Sequence, residues 1–404
     1  YLYSPEGRIL ENFLVVIKDD VISYVGKSAS PSVEADYDIG NSILLPGFIN
    51  AHCHLELTGF KGKIKKGISF AGWVEDIISL KIRTSKKEYS LFIREGIKEA
   101  VRGGCTFFSD ISSSYLSAPL LNEAGVRGIV FYEAIGFKNE ESDYHFERLK
   151  EAIEKHKKEQ YSNICAGISP HAVYSVSSSL FKKCVEYSKK ESLPLQVHLG
   201  ETVEESLFLE KGEGIFFTLL SFLGQLDEDW EAKGIPPIIY MKELGFLDNR
   251  NTFVHFNFYT NEELDILSKT ENSVVVCPLS NNEWFERETS PLFDCIEKEI
   301  NLAIGTDSCA SNFGLNMFDE LRMLKKICPS LTPYELIKTA TVNGAYAFCM
   351  SEKLGRIEEG FYADLIAVPV DFVSADKDLI EGVIEESKEV NFSMVGGKEI
   401  YSCL

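Results

Sequence analysis

The stretch "PGFINAHCHLELTGF", residues 46–60, decides the fold. It is an apolar run that ends in two histidines, His52 and His54, with one residue between them. Successive side chains of a β-strand point to opposite faces, so the two histidines share a face and Cys53 points away from them. A lone His-x-His pair is a weak signal, because both rings could be ordinary core residues. The stretch therefore predicts a strand and raises the question of a metal site at its carboxyl end.

Short apolar runs of this kind recur along the chain, and most are followed by charge-rich stretches of helical character. The strand candidates are residues 43–53, 105–111, 126–133, 164–169, 194–199, 252–256, 273–277 and 302–306. The helix candidates include residues 88–103, 145–160, 177–191, 261–269 and 315–326. Eight strands that alternate with helices predict an α/β fold with a closed, parallel (β/α)8 barrel.

The two ends of the chain depart from this rhythm, since both consist of short strand-like runs joined by turns. We expect residues 1–45 and 350–404 to pair into a small β-sandwich beside a barrel formed by residues 46–349. A long insertion, residues 204–247, separates the fifth and sixth strands and is expected to cover the carboxyl end of the barrel. The chain begins at Tyr1 and not at Met, so we expect a few N-terminal residues to be missing.

The composition excludes several classes of partner. The 404 residues carry 41 Lys and Arg against 62 Asp and Glu, a formal net charge of −21. Such a chain is repelled by nucleic-acid phosphates and by anionic lipid, so neither is a predicted partner. No apolar run approaches the roughly 20 residues of a membrane span. The ten cysteines include no Cys-x-x-Cys pair and no signal-peptide pattern opens the chain, which predicts a cytoplasmic protein with reduced, mostly buried thiols.

The histidines carry the functional information. Two of the seven, His145 and His156, lie in a charged helical stretch and are predicted to be solvated. The other five and one aspartate end predicted strands: His52, His54, His171, His198, His255 and Asp307. Barrel enzymes place their catalytic groups at that edge, so we expect these six side chains to lie together.

A mononuclear metal site is the simplest use of this cluster. His52, His54, His198 and Asp307 would supply three nitrogen ligands and one oxygen ligand, a set that suits zinc and also ferrous iron or manganese. One position would stay open for water, as a catalytic site requires. Taken singly, His198 could be a satisfied core residue and Asp307 a helix cap. Their joint placement at strand ends favours one divalent ion, with zinc preferred.

An acidic residue follows the predicted ligand of the fifth strand. Glu201 lies three residues after His198, in "HLGET". A carboxylate there could simply stabilise the first turn of the next helix. It could also act as a general acid and base beside a water molecule, and we favour this second role.

The motifs also occur in a telling order along the whole chain. They are "LPGFINAHCHLE", "SPHAVYSVS", "VHLGET", "VHF", "CPLSNN", "GTDSCASN" and "TVNGAYAF" followed by "LGRIEEGFYADLIAV". Together they resemble the amidohydrolase superfamily, and in particular its deaminase and chlorohydrolase branch. This resemblance implies a hydrolytic enzyme with a small-molecule substrate, and a homodimer is common in the family.

The resemblance also implies roles for single residues. It matches the four predicted metal ligands to the ligands of the family and Glu201 to its proton shuttle. It implies that His255 orients a water, that Asp307 takes a proton from it, and that His171 contacts substrate. The fourth strand, "ICAGISPH", lacks the lysine that bridges two ions in binuclear members, which implies one metal ion.

Within the branch, the sequence most resembles the aminodeoxyfutalosine deaminases of menaquinone biosynthesis. The implied reaction is hydrolysis of the 6-amino group of an adenine nucleoside, 6-amino-6-deoxyfutalosine. "CPLSNN" carries Leu279 where the branch commonly has arginine. Deamination of adenosine, S-adenosylhomocysteine, methylthioadenosine, guanine or a cytosine-like ring, and triazine dechlorination, are alternatives. A metal-stapled binding protein without activity is the alternative from another class.

Substrate contacts are the least determined by sequence. A carboxylated substrate needs a cationic partner in this acidic chain, and Arg287 lies after the seventh strand, although it could be a solvated loop charge. Trp73 and Phe70 could stack on the base or pack beneath a helix. Ser280 and Asn281 could bind substrate or cap the turn.

Overall fold

Eight parallel strands form the centre of the molecule in the computed structural model, which describes residues 1–27, 35–228, 230–287, 290–371 and 378–404. Their bounds are Phe48–Cys53, Cys105–Ser112, Arg127–Ala134, Ile164–Pro170, Gln196–Leu199, Thr252–His255, Ser273–Val276 and Asn301–Ile304. They pair in chain order as two four-stranded sheets. Parallel bridges join the sheets at both seams, Ala172 with His198 and Cys53 with Asp307. The predicted (β/α)8 barrel is confirmed.

The first predicted strand is wrong in one respect. Residues 43–53 form two strands, Ser42–Pro46 and Phe48–Cys53, which belong to different sheets. Gly47 separates them, and a Cβ there would lie 2.0 Å from the Thr106 hydroxyl oxygen. An apolar run cannot show such a break, because both halves are equally buried. The other seven predicted strands are confirmed with ends that move by at most two residues.

The helices surround the barrel. The α-helices are Phe70–Arg83, Lys86–Arg102, Ser117–Glu123, Ser142–Glu159, Ser178–Glu191, Val203–Lys211, Ile215–Phe222, Pro237–Glu243, Asn261–Leu267, Leu292–Glu297, Met317–Ile327, Pro333–Thr339, Val342–Ala347 and Leu379–Glu386. Short 3₁₀ segments lie at Leu55–Phe60, Asn139–Glu141 and Phe246–Asp248, and a π-helical turn at Leu279–Trp284. The five predicted helices are confirmed to within three residues at each end.

The chain ends form one six-stranded sheet beside the barrel, in which every neighbouring pair is antiparallel except Leu2–Tyr3 with Ser42–Pro46. Its strands, in spatial order, are Lys398–Ser402, Phe392–Val395, Leu365–Pro369, Ser42–Pro46, Leu2–Tyr3 and Ile9–Leu10, and a separate hairpin pairs Phe13–Lys18 with Val21–Lys27. The predicted association of the two ends is confirmed. The predicted boundaries at residues 45 and 350 stay predictions, and residues 28–34 and 372–377 lie outside the described residues.

The insertion at residues 204–247 packs against the carboxyl end of the barrel. Phe216 in this insertion stacks on Tyr174, with ring centroids 3.8 Å apart, and Tyr174 follows the fourth strand. Phe208 is fully buried and stacks on Trp230 at 4.7 Å. Aromatic packing of this kind holds the insertion over one side of the barrel mouth. Residue 229 of the predicted insertion is outside the described part of the chain.

Two predictions about polar and thiol side chains have opposite outcomes. All ten cysteines are free and seven of them are buried, as predicted. The prediction for His156 is wrong: it is buried, and its ring nitrogens lie 2.9 Å from the Tyr132 hydroxyl and 3.0 Å from the Ile164 carbonyl oxygen. Helical spacing explains the error, since Leu149, Ile153 and His156 share the inward face of one helix.

His145 is half-buried beside Glu141. No helix in the described parts of the chain is long and apolar enough to cross a membrane.

Candidate active site

Five histidines and one aspartate converge at the carboxyl end of the barrel. The ring centroid of His52 lies 4.8 Å from that of His54, 4.9 Å from that of His198 and 5.9 Å from that of His255. Potential ligand atoms of His52, His54 and His198 lie within 4.8 Å of one another, as do those of His52, His255 and Asp307. The structure therefore brings the sequence-predicted ligands together in one buried cluster.

The seam between the first and eighth strands sets the positions of three of these side chains. The Asp307 amide donates to the His52 carbonyl at 3.1 Å, and the His54 amide donates to the Asp307 carbonyl at 3.3 Å. Asp307 and His255 have positive φ angles, 55° and 75°. Left-handed backbone in a non-glycine residue costs about 1–3 kcal/mol and is concentrated at functional sites, where it turns a side chain in a needed direction.

The hydrogen bonds of His52 fix its tautomer. Its Nδ1 lies 2.8 Å from the Gln196 side-chain oxygen, while the Gln196 amide nitrogen donates to the Ala51 carbonyl and the Thr252 hydroxyl. Gln196 must therefore accept, and His52 Nδ1 carries the hydrogen. His52 Nε2 is buried and has no hydrogen-bond partner among the described residues. A buried, unpartnered lone pair that faces other imidazoles is what a metal ligand requires.

Two other imidazoles are oriented in the same way. His198 Nδ1 donates to the His171 carbonyl at 2.9 Å. His255 Nδ1 lies 3.1 Å from the Asn281 side-chain oxygen, which also accepts from the Arg287 guanidinium at 2.7 Å. Both histidines thus carry hydrogen on Nδ1, and the Nε2 lone pair of each is left for a ligand or for a water proton.

Asp307 presents one oxygen to the histidines and anchors the other. Its Oδ2 accepts from the hydroxyls of Ser280 and Ser311, each at 2.7 Å. Its Oδ1 lies 3.6 Å from Nε2 of His52 and of His54. Burial raises the pKa of Asp307, but the adjacent imidazoles of His52, His255 and His54 outweigh it and hold the pKa well below its usual value.

Burial favours the neutral form of four imidazoles, those of His54, His198, His171 and His255. Desolvation, reinforced by the charge of His52, lowers the pKa of His54 to about 3, and desolvation also lowers the pKa of His198, His171 and His255. Metal ligation needs neutral imidazole and ionised carboxylate. The donor set at this site therefore fits one divalent cation with nitrogen and oxygen ligands, and zinc suits it well.

Glu201 lies beside this cluster. Its Oε1 is 2.8 Å from the Arg287 guanidinium and 3.9 Å from His255 Nε2, and its side chain is 8% exposed. The following helix begins at Val203 with Thr202 as its N-cap, so Glu201 lies outside the first turn. Glu201 therefore does not stabilise the first turn of that helix, and its carboxylate faces the histidine cluster instead.

Several predicted substrate contacts also lie at this rim. Arg287 is buried, with its guanidinium carbon 4.4 Å from the centroid of the Phe285 ring, so it is not a solvated loop charge. The Trp73 indole donates to the Ala310 carbonyl at 2.9 Å and stacks on Phe70 at 5.6 Å. His171 contacts Ser175 through Nδ1 and lies with its centroid 4.8 Å from that of His198. Their substrate roles stay predictions.

Ser280 and Asn281 are engaged within the site itself. Ser280 donates to Asp307, and Asn281 accepts from both His255 and Arg287. Both residues lie in the π-helical turn after the seventh strand. They support the predicted catalytic groups in this structure, and a direct substrate contact by either stays a prediction.

Sequence reasoning missed three supporting residues. Gln196 orients His52, Ser311 anchors Asp307, and the Glu205 carboxylate accepts from the Glu201 amide at 3.0 Å. Gln196 was within reach, since it precedes His198 by two positions and so shares its strand face. Ser311 follows Asp307 by four positions in a loop, where no period identifies a partner. Glu205 follows Glu201 by four positions but lies in the helix Val203–Lys211, so no period links it to a residue before that helix.

The comparisons with known proteins agree with this geometry. A family model described as the amidohydrolase family matches residues 43–400. A 5-methylthioadenosine/S-adenosylhomocysteine deaminase of Thermodesulfovibrio yellowstonii is 27% identical over 90% of this chain and 82% of its own length. An aminofutalosine deaminase of Helicobacter pylori in complex with methylthio-coformycin superposes with a TM-score of 0.86 at 24% identity, over 98% of each chain. An adenosine deaminase of Xanthomonas campestris with bound zinc gives 0.84 at 24%, over 100% of this chain and 91% of its own.

Gln196 offers a test of the metal centre that leaves the ligands intact. Gln196→Leu removes the acceptor for His52 Nδ1–H, and loss of such a supporting contact typically costs 10–100-fold in metal affinity. We expect a zinc Kd weaker by about that factor, measured by competition with a chromogenic chelator. Gln225→Leu, in the insertion, is the control and should keep the wild-type Kd. An unchanged Kd for Gln196→Leu would contradict the assigned role of His52.

Proposed function

The chain belongs to the amidohydrolase family, and on that premise we propose that it is a metal-dependent deaminase of an adenine nucleoside derivative. The match of the family model to residues 43–400 confirms the superfamily expected from the motifs. The observation that carries the proposal is the placement of Glu201, whose carboxylate lies 3.9 Å from His255 beside the buried cluster of His52, His54, His198 and Asp307. The name of the 27% identical relative supports an adenine nucleoside as the substrate class.

The proposed reaction replaces the 6-amino group of the purine by oxygen and releases ammonia. His52, His54, His198 and Asp307 would hold one divalent ion, which would supply the nucleophile by lowering the pKa of a coordinated water to about 7. The residues around that position then govern the protons and the orientation of the substrate.

Three side chains orient the attacking water and transfer protons in the proposed reaction. His255 is neutral, and its Nε2 lone pair can accept a hydrogen bond from the attacking water and aim it. Asp307 Oδ1 can accept the proton that the water loses, while Oδ2 stays fixed by two serine hydroxyls. Glu201 starts protonated and gives its proton to the ring nitrogen beside the carbon under attack. Asp307 passes the proton it took from the water to the departing amine, and Glu201 recovers a proton from the C6 hydroxyl as the carbonyl forms. One water is consumed and one ammonia is released.

We further propose 6-amino-6-deoxyfutalosine, an intermediate of menaquinone biosynthesis, as the substrate. It carries a carboxylate, and Arg287 is a cation beside the proposed proton shuttle Glu201. Its guanidinium has five N–H donors, of which one each is directed at Glu201 and Asn281, so donors remain for a substrate carboxylate. The rings of Phe285 and Phe70 flank the guanidinium at 4.4 and 5.7 Å and offer aromatic faces for the substrate ring.

A second candidate keeps the same chemistry on methylthioadenosine or S-adenosylhomocysteine, as the name of the 27% identical relative suggests. A guanine deaminase or a triazine chlorohydrolase has no observation of its own in its favour. A metal-stapled binding protein does not fit, because a structural site is closed by its four ligands and has no need of Glu201 and His255 beside them.

A substrate panel tests the proposed function directly. Zinc-loaded protein is assayed for ammonia release from aminodeoxyfutalosine, adenosine, methylthioadenosine and S-adenosylhomocysteine. We expect kcat/KM for aminodeoxyfutalosine to exceed the others by about 100-fold, since a charged hydrogen-bonded group contributes 1.5–3 kcal/mol. A preference for methylthioadenosine would retain the reaction and overturn the substrate. No ammonia from any adenine nucleoside, at one metal per chain, would overturn the function.

The shuttle role of Glu201 has its own test. Glu201→Gln keeps the size of the side chain and its contact with Arg287 but removes the transferable proton. We expect kcat to fall by about 10²–10⁴-fold, with metal content unchanged. Glu204→Gln, three residues along, is the matched control and should keep wild-type kcat. Near wild-type turnover of Glu201→Gln would show that another group moves the proton.

Arg287 is tested by a ratio, because it also touches Glu201. Arg287→Ala should raise KM for aminodeoxyfutalosine by about 10–100-fold more than KM for methylthioadenosine, which has no carboxylate. The comparison cancels any effect on Glu201 that both substrates share. Arg287→Lys should restore part of the KM difference between the two substrates, because lysine keeps the positive charge but lacks the planar, bidentate guanidinium. Equal changes in the two KM values would restrict Arg287 to holding Glu201.

A further inference from the structure

A second cavity lies at the opposite end of the barrel from the metal centre. It is lined by residues that begin barrel strands, including Arg127 and Ile164, and by the chain that follows the helix Val342–Ala347. Its volume is about 790 Å³, within the 300–1,000 Å³ range of small-molecule sites. The metal ligands lie at the other strand ends, so the barrel core separates this cavity from the metal centre.

The charge of this cavity is opposite to that of the protein. Four cations line it, Arg127, Lys157, Lys189 and Arg250, and no Asp or Glu is among its 25 described lining residues. Acids make up 62 of the 404 residues, so 25 residues drawn at that frequency would include about four. A concave surface lined by one sign of charge focuses the field and concentrates the opposite ion.

Arg127 is the structural member of this group. It forms two hydrogen bonds with the buried Asp364, at 2.7 and 3.0 Å, and its guanidinium carbon lies 4.1 Å from the centroid of the Tyr362 ring. This pair joins the third barrel strand to the terminal sheet and neutralises the charge of Arg127. The attraction for an anion must come from the other three cations.

Those three cations have only weak, replaceable partners. The pairs are Lys157 with Glu191 at 2.7 Å and with Glu154 at 3.6 Å, Lys189 with Asp248 at 2.7 Å and Arg250 with Glu271 at 3.1 Å. Arg250 also lies over the Tyr346 ring, with its guanidinium carbon 4.1 Å from the ring centroid. All four acids are solvent-accessible, with 26–73% of their side chains exposed, and none lines the cavity. Exposed pairs contribute about 0–1 kcal/mol, so an anion in the cavity can share these cations or displace the acids.

The deeper wall of the cavity is aromatic. Phe348 and Phe107 are buried and stack with centroids 5.5 Å apart, where they close the floor of the barrel. Tyr161 and Tyr362 also line the cavity and are only partly buried. Aromatic rings pack favourably against a planar ring. The side chains of Lys157 and Lys189 are 34% and 40% exposed and lie nearer to solvent. A ligand with an aromatic body and an anionic group would satisfy both parts.

We propose that this basal cavity is a second ligand site, for a planar aromatic compound that carries a carboxylate, sulfonate or phosphate. Lysine and arginine donors bind such groups, and the phenylalanine and tyrosine rings hold the aromatic body. The proposal is independent of the function assigned to the metal centre, because no residue is shared between the two.

Three exposed thiols provide a probe that is already in place. Cys165 and Cys349 line the cavity, whereas Cys403 is exposed outside it. Each is alkylated with anionic iodoacetate and with neutral iodoacetamide, and rates are read by peptide mass spectrometry. The ratio of the two rates cancels intrinsic thiol reactivity. We expect the ratio at the two cavity thiols to be at least about 5-fold that at Cys403 and to fall with salt. Equal ratios at all three thiols would overturn the proposal.

Binding is measured on the metal-loaded protein with 8-anilinonaphthalene-1-sulfonate, an aromatic sulfonate whose fluorescence reports transfer from water. We expect one saturable site per chain. Lys157→Glu with Lys189→Glu should weaken its Kd by at least about 10-fold. The matched control is Lys155→Glu with Lys182→Glu, which changes exposed lysines on the same two helices outside the cavity and should alter Kd by less than about 2-fold.

Turnover at the metal centre serves as the folding control, and both double variants should keep wild-type kcat. Three results would overturn the proposal: absence of saturable binding, equal Kd values in the two double variants, or displacement of the probe by methylthioadenosine, which has the adenine ring but no anionic group. The last would place the probe at the metal centre.

Discussion

The seam between the first and eighth barrel strands is the constraint on which the site depends. Here the backbone of His52 and His54 exchanges hydrogen bonds with that of Asp307, and the closure brings together ligands more than 250 residues apart in the chain. Gly305 makes the approach possible, because a Cβ at that position would lie 2.6 Å from the backbone nitrogen and oxygen of His52. Any larger residue would force the seam open and separate the carboxylate from the imidazoles.

Once the seam is closed, burial and hydrogen bonds determine the chemistry of each group. Desolvation lowers the pKa of His198 and of His255. The contacts of His52 with Gln196, of His198 with the His171 carbonyl and of His255 with Asn281 each fix an Nδ1–H. The lone pairs that remain are all on Nε2, and His52 Nε2 finds no protein partner among the described residues. A cluster that leaves such an atom unsatisfied is costly unless a ligand completes it. The site is thus arranged for a cation in advance.

The sequence predicts those parts of the molecule that follow a period. Alternation along a strand identified His52 and His54 as neighbours, and the same rule applied to the fifth strand would have identified Gln196. The break at Gly47 was not predicted, because two consecutive buried strands have the same apolar pattern as one. The burial of His156 was not predicted, because charged residues surround it in the sequence although it lies on the inward face of its helix. The contact between Glu201 and Arg287 spans 86 residues and depends on the π-helical turn Leu279–Trp284 and the left-handed backbone of Glu286, which no local pattern specifies.

The acidity of the chain acts differently at long and at short range. A net charge of −21 repels extended polyanions, since nucleic acid and lipid surfaces meet the whole field of the protein. A small anion is subject to a different condition, because surface charges beyond about 8 Å are screened at physiological salt. Within a concave site the nearest groups dominate, and these are Arg287 at one end of the barrel and Lys157, Lys189 and Arg250 at the other. An acidic protein can therefore exclude large anions from its surface and still bind small ones where cations line a concave site.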